Sequence, residues 1–248
     1  MKWHILALTL IAVVGVVFAA ALVAWRGGAE FTAQEEAMLE KLPPILDTLV
    51  LHEEDLSSLS GDYEVCGGSG PYGLNYGYRS QDGSAEVEEV EAVEASGSPY
   101  GSSLFCDFES GAFVSSLVEL PETKDLLLAL NAINRDLARA QETDLEKLAE
   151  ATSGVLLPEE ELLEYRSVSA RTLGHARYAW VRTVDNLDTG EQFEIYHFDF
   201  NRSVVMAGLL VKLPSSPTAE EEASFLASVF DNKIAAQLEL LRPEVQAQ

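Results

Sequence analysis

Histidine is the side chain best suited to moving protons near neutral pH, and this chain has four, at positions 4, 52, 175 and 197. Their neighbours do not build a site. The strings GxSxG, SxxK and HExxH are absent, so no activated serine or zinc-binding helix is signalled. His4 belongs to an apolar N-terminal run, and His175 follows Gly174 at the entrance of a strand. His197 alternates with Tyr196 and Phe198, which should face a core. Gly68-Ser-Gly70-Pro-Tyr-Gly73 matches GxGxxG as a string. A dinucleotide site needs that turn between a strand and a helix, and Pro71 among four nearby tyrosines argues against a helix start. Asp185, Asp188 and Glu191 around Gly190 offer the oxygen ligands that calcium takes. Leu187 and Thr189 stand where an EF-hand needs ligands, so the stretch reads as a turn. No spacing among the 41 acids singles out a carboxylate pair for glycoside hydrolysis. No catalytic residue, cofactor or metal is expected.

The residues best suited to binding are Tyr72, Tyr76 and Tyr78, set among glycines, with Tyr100 near Cys106. Tyrosines on a glycine-rich loop give amphipathic contact area, as antibody loops do. The chain has two cysteines. Neither belongs to a CxxC pair or stands among zinc-ligand neighbours. Cys66 lies in the glycine-rich loop and Cys106 in a strand pattern, and a disulfide between them is the preferred reading over two free thiols. Closing a loop of that length stabilises by about 3–4 kcal/mol in the chain-entropy model. The bridge would also lower the ordering cost of the tyrosine loop on binding, and it requires an oxidising compartment.

What positions these residues begins with Ile5–Trp25, twenty-one residues without a charge. At about 1.5 Å per residue such a helix matches the thickness of a bilayer's hydrocarbon core. Lys2 and Ala19-Ala20-Ala21 suit a cleaved signal peptide, but the apolar run is longer than a signal core needs. Trp3 and Trp25 bracket it as interfacial residues do. An uncleaved signal anchor is the expectation, with a cleaved signal as the alternative. Lys2 and Arg26 give the positive-inside rule little to count. Orientation follows from the cysteines instead, which would put the soluble part outside the cytoplasm.

The whole chain carries −25, and its first 26 residues hold two bases and no acid, which leaves −27 on the rest. Such a potential repels nucleic acid and anionic headgroups and withholds the usual basic patch from a phosphate site.

Down the chain, Thr32-Ala-Gln-Glu35 is a capping box opening a helix that Pro43-Pro44 halts. Leu46, Leu49, Val50 and Leu56 form a broken helical face. Gly61 to Gly83 reads as loop and irregular strand, and Ala85 to Ala95 as a frayed helix or an edge strand. Leu104 to Leu120 is a hairpin turning at Glu109-Ser-Gly111. Leu126, Leu130, Ile133 and Leu137 mark an amphipathic helix, and Thr143-Asp-Leu-Glu146 caps a shorter one. Val168–Ala170 and Tyr178–Val184 read as strands, and Asp185–Gly190 as a turn. Phe193–Phe200 and Ser203–Leu213 form a second hairpin, with Asn201-Arg-Ser203 at its turn. Thr218 caps a last helix with Ala223, Leu226, Phe230, Ile234, Leu238 and Leu241 inward, ended by Pro243.

Three motifs recur in order. Leu51-His-Glu-Glu-Asp-Leu56 matches Leu157-Pro-Glu-Glu-Glu-Leu162, Cys106-Asp-Phe108 matches Phe198-Asp-Phe200, and Leu117-Val-Glu-Leu-Pro121 matches Leu210-Val-Lys-Leu-Pro214. Between the first two motifs, Leu56 to Asp107 spans 51 positions and Leu162 to Asp199 spans 37, so the first half carries about 14 extra. The expected organisation is an anchor over 1–26, a juxtamembrane helix and linker over 27–44, two α+β repeats over 45–149 and 150–243, and a tail over 244–248. The Gly/Tyr-rich and acidic insertion belongs to the first repeat.

The strand–hairpin–helix order, with Leu51-His-Glu-Glu-Asp-Leu56 ahead, resembles the repeated extracytoplasmic modules of bacterial sensor-domain and envelope lipoprotein-like families. It covers Leu46 to Leu241 and carries no catalytic residue across. No cysteine follows the apolar run to take a lipid, unlike a lipoprotein. The resemblance implies a ligand-sensing or scaffolding envelope domain. The expected fold is α+β, an antiparallel sheet with helices packed on one face. The expected activity is non-enzymatic binding of an unknown small molecule, or a structural role beside an envelope protein, with no nucleic acid.

Overall fold

The computed structural model describes residues 29–67, 77–81, 84–88, 99–139 and 160–246. The apolar run Ile5–Trp25 lies outside them, and no helix among the described residues is long and apolar enough to cross a membrane. Thr32 caps helix α1 (Ala33–Lys41): its hydroxyl accepts from Glu35 N, and Glu35 answers to the Thr32 amide. The two prolines turn the chain through a 3-10 step, Pro43–Ile45, into the short helix α2 (Leu46–Leu49) and a second 3-10 turn, Glu53–Leu56. Met38, Leu42, Leu46, Leu49, Val50 and Leu56 are all buried.

Strands follow at β1 (Glu64–Gly67), β2 (Gly77–Gln81), β3 (Ser84–Glu88), β4 (Tyr100–Asp107) and β5 (Ala112–Glu119), then helix α3 (Lys124–Leu137). The second half gives β6 (Glu160–Ser167), β7 (His175–Asn186), β8 (Gln192–Arg202), β9 (Val205–Pro214) and helix α4 (Ala219–Gln246). Seven strands make one antiparallel sheet in the order β1-β4-β5-β9-β8-β7-β6, while β2 and β3 pair as a separate ribbon. The fold is therefore α+β, as the sequence implies, and β5 beside β9 joins the two halves at the centre of the sheet.

Alternation along the strands gives the sheet two faces. One carries Phe105, Val114, Val118, Val181, Tyr196, Phe198, Phe200, Leu209 and Val211, packed with α1, α2 and the inward residues of α4 in one core cluster. The other holds only a small cluster around Val184, Phe193 and Ile195. Helix α3 packs against β7, with less contact to β8. Where α2 crosses β4 the backbones nearly touch, since a Cβ on Gly101 would sit 2.8 Å from the Leu46 carbonyl oxygen.

Four expectations need correction. Glu160–Ser167 is a strand that the sequence did not mark, and Val168–Ala170, expected as a strand, is irregular. Edge position and a bulge between Leu162 and Glu164 break the alternation that would have marked β6. Of the undecided acidic run, Ser84–Glu88 is strand; the rest falls outside the described residues, as does the Thr143 capping box. Pro243 does not end α4, which continues to Gln246, although a proline there has no N–H to offer the Glu239 carbonyl one turn back. Two of the three recurring motif pairs fall on unlike structure. Phe108 lies exposed in a turn while Phe200 is buried in β8, and Leu51–Leu56 spans a 3-10 turn where 160–162 is strand.

Candidate functional site

The Cys66–Cys106 disulfide is formed, with Cα atoms 5.6 Å apart and 40 positions of sequence between the partners. Cys106 pairs with Glu64 across β4 and β1, so the bridge fastens the short edge strand and the chain that leaves it to the main sheet. Of the four tyrosines singled out by sequence, Tyr72 and Tyr76 lie outside the described residues. Tyr78 stands in β2 opposite Val87. Tyr100 opens β4 opposite Glu119; its hydroxyl is buried with no hydrogen-bond partner among the described residues, and burial pushes its ionisation upward. Asp185, Asp188 and Glu191 belong to the β7–β8 turn, where Asn186 Oδ1 accepts from the Asp188 and Thr189 amides at 3.0 and 3.1 Å. The described residues contain no cluster of metal-ligating side chains.

The side chains that gather most chemistry lie elsewhere, on the sheet face away from the helical core. Cross-strand register sets Ser167, Trp180, His197 and Leu210 in one row over β6, β7, β8 and β9. Tyr178 and Asp199 occupy the next row and Tyr165 and Arg182 the one before it. Residues opposite one another share a face and touch. The Tyr165 ring stacks on Trp180 with centroids 4.8 Å apart, and Trp180 meets the His197 ring edge-on at 4.9 Å. Trp180 Nε1 donates to the Tyr178 hydroxyl at 3.3 Å, and His197 Nε2 lies 3.1 Å from Asp199 Oδ2. Burial, then the Asp199 charge, pushes the Tyr178 phenol well above its ordinary value. Burial raises Tyr165 too, against the opposing charge of Arg182. Tyr165, Tyr178, Trp180 and His197 are all half-buried, so each keeps an edge in solvent.

This arrangement orients His197 through Asp199 but sets no serine, threonine or cysteine of the described residues against it. Ser167 shares its row, yet it stands two strands away, about 9–10 Å, with the Trp180 indole between. Hydrogen-bond reach for a nucleophile and its base is about 3 Å. What the row can do is bind: three rings, a carboxylate and a phenol present amphipathic edges from a rigid sheet. Where β7 begins, the row borders an open cleft of about 520 Å³ lined by Ser167, Arg171, Arg177 and Tyr178, among others. Arg177 Nη1 is turned to the carbonyls of Leu173 and Gly174, at 2.9 and 2.7 Å.

Sequence reasoning assigned His197 only an alternation with core residues and did not connect it to β7. The signal was present: period two in Tyr178-Ala-Trp180-Val-Arg182 and in His197-Phe-Asp199 puts all five polar and aromatic residues on one face. Which strand lay beside which was missing.

No protein-family model matches the chain, and no curated protein sequence matches it either. Among solved structures, the extracellular domain of PknH from Mycobacterium tuberculosis aligns over 78% of this chain and 96% of its own, at 12% identity and a TM-score of 0.42. A point mutant of the protein Mog1 aligns over 56% of this chain and 77% of its own, at 12% identity and a TM-score of 0.21.

Proposed function

We propose that the chain is a membrane-tethered extracytoplasmic binding or sensing domain that acts by binding rather than catalysis. Its ligand site is the β6–β8 face. The observation that carries this reading is the row Tyr165–Trp180–His197, tied through Tyr178 and Asp199, on a half-buried face beside a cleft sized for a small molecule. The disulfide supports an oxidising compartment, and Ile5–Trp25 supplies the tether. Tyr72, Tyr76 and Tyr78, which follow Cys66 in the sequence, are the alternative ligand contact.

The test is a thermal-shift screen of the full chain in detergent against sugars, cell-wall fragments, small metabolites and metals. A ligand at 100 times its dissociation constant adds about 2.7 kcal/mol, a rise of roughly 5–10 °C for a domain this size. The rise should vanish in Trp180→Ala and persist in Tyr72→Ala/Tyr76→Ala if the sheet face is the main site. The opposite pattern moves the site to the loop. A folded protein that no compound shifts defeats the small-molecule reading.

A protein partner is the second reading, favoured by Val65 and Phe108. Both are exposed, 63% and 44%, Val65 within the four-residue edge strand β1 and Phe108 in the turn after β4. Pull-down with Val65→Asp/Phe108→Asp set against the unchanged chain separates this reading from the first.

A further inference from the structure

Of the apolar stripe that marks α3 in the sequence, Leu126 and Ile133 are exposed and Leu130 is half-buried, while Leu127, outside the stripe, is buried. Leu127 is 4% exposed, whereas Leu126, Leu128 and Ile133 are 39%, 45% and 45% exposed. At 3.6 residues per turn, Leu126 and Ile133 lie within about 20° of one another around the axis. They line up as an exposed pair along one flank of the helix, with half-buried Leu130 beside them, while Leu128 lies on the opposite side.

Three contacts tie the first turn of α3 to the chain just after the apolar run. The Ala29 amide donates to Asp125 Oδ1 at 2.9 Å. Lys124 Nζ lies 2.5 Å from Glu35 Oε2 and 5.7 Å from the centre of the Phe31 ring. Trp25, the end of the uncharged run, is four residues before Ala29, and four extended residues span at most about 14 Å. Adding the 2.9 Å hydrogen bond, chain length alone keeps Asp125 Oδ1 within about 17 Å of the end of the run. Charge agrees with the placement. The helix, Lys124–Leu137, holds Lys124 and Arg135 against Asp125 and Asp136, a net of zero, in a chain that carries −27 after Arg26.

We infer that α3 lies on the bilayer surface, with Leu126 and Ile133 in the headgroup–acyl boundary, so that the chain holds the membrane at two points. The inference rests on reading Ile5–Trp25 as the tether. A helix with an apolar face opposite a polar one lies at that boundary, and one already held beside the membrane loses little freedom by doing so. The second contact fixes the tilt of the sheet relative to the bilayer, and with it the direction in which the β6–β8 face is presented.

The test places a nitroxide at Ile133→Cys in the full chain, reconstituted in phosphatidylcholine nanodiscs with its disulfide intact. Leu240→Cys on α4, 68% exposed, is the aqueous reference. Collision rates with oxygen and with a water-soluble nickel chelate are compared. The expected result is an oxygen-to-nickel ratio at Ile133 roughly threefold or more above that at Leu240, as a site at acyl depth gives. Equal ratios overturn the inference. So does shielding from both reagents, which would mean that residues 140–159 or a second copy cover the pair. A label at Val14→Cys reads the tether separately. Oxygen-rich at Val14 with nickel-rich at Ile133 removes the α3 contact alone, while nickel-rich at both removes the tether as well. Leu126→Cys repeats the reading if Ile133→Cys does not fold.

Discussion

Arg202 holds Asp231 through two hydrogen bonds, Nε to Oδ1 at 2.6 Å and Nη2 to Oδ2 at 2.5 Å, where β8 meets the middle of α4. The Asp231 side chain is 3% exposed and that of Arg202 is 31%, so the pair is asymmetric: one end is dry and the other still touches water.

That asymmetry predicts unequal costs. Arg202→Ala strands a buried carboxylate and should destabilise by about 3 kcal/mol, the low end for a broken buried pair. Asp231→Asn leaves a guanidinium that can turn to solvent and should cost less. Urea unfolding of both variants measures the difference, and equal losses would show that the pair's burial is not what matters.

Reduction should be expensive. The Cys66–Cys106 bridge closes a loop with a separation of 40, about 4 kcal/mol of chain entropy. The denaturant midpoints of the reduced protein and of Cys66→Ala/Cys106→Ala should agree with each other, both well below that of the oxidised protein. A reductant effect larger than that of the double variant would point to something other than the bridge.

Ser116 joins two elements through one hydroxyl. It accepts from the Leu51 amide at 2.9 Å and shares a hydrogen bond with Ser103 at 2.7 Å, all of it buried. Ser116→Ala leaves the Leu51 N–H unsatisfied and should cost about 1–3 kcal/mol. Ser103→Ala leaves that bond in place and should cost less. Amide exchange at Leu51 should quicken in the first variant only.

Alkali should unfold the domain through its tyrosines. Burial pushes Tyr63 up to about 12, and also raises Tyr100, Tyr165, Tyr178 and Tyr196 above 10. The folded state thus keeps protons that the unfolded chain releases, so stability is intact below pH 10 and falls as pH climbs from 10 toward 12. Stability measured by denaturant at pH 8, 10 and 11 should be flat over the first interval and drop over the second. A phenolate absorbance that rises at pH 10 in full, with no unfolding, would contradict the burial of these rings.

Much of this molecule is local and could be read from the chain alone. The Thr32–Glu35 capping box, the halt at Pro43-Pro44, the hairpin turning at Gly111 and the inward face of α4 are set by residues within a few positions of each other. The Cys66–Cys106 pair was legible because two cysteines allow one bridge. What the sequence could not carry were quantities of position. Strand β6 sits at an edge with a bulge, so its pattern is blurred. The rotation of α3 about its axis was not legible, because the apolar stripe tells which residues are hydrophobic, not which flank a neighbouring strand covers. The His197–Asp199–Tyr178–Trp180 cluster exists only because β8 lies beside β7 in one register. A slip of one residue would turn each of those side chains to the opposite face, and no local property of either strand specifies that register.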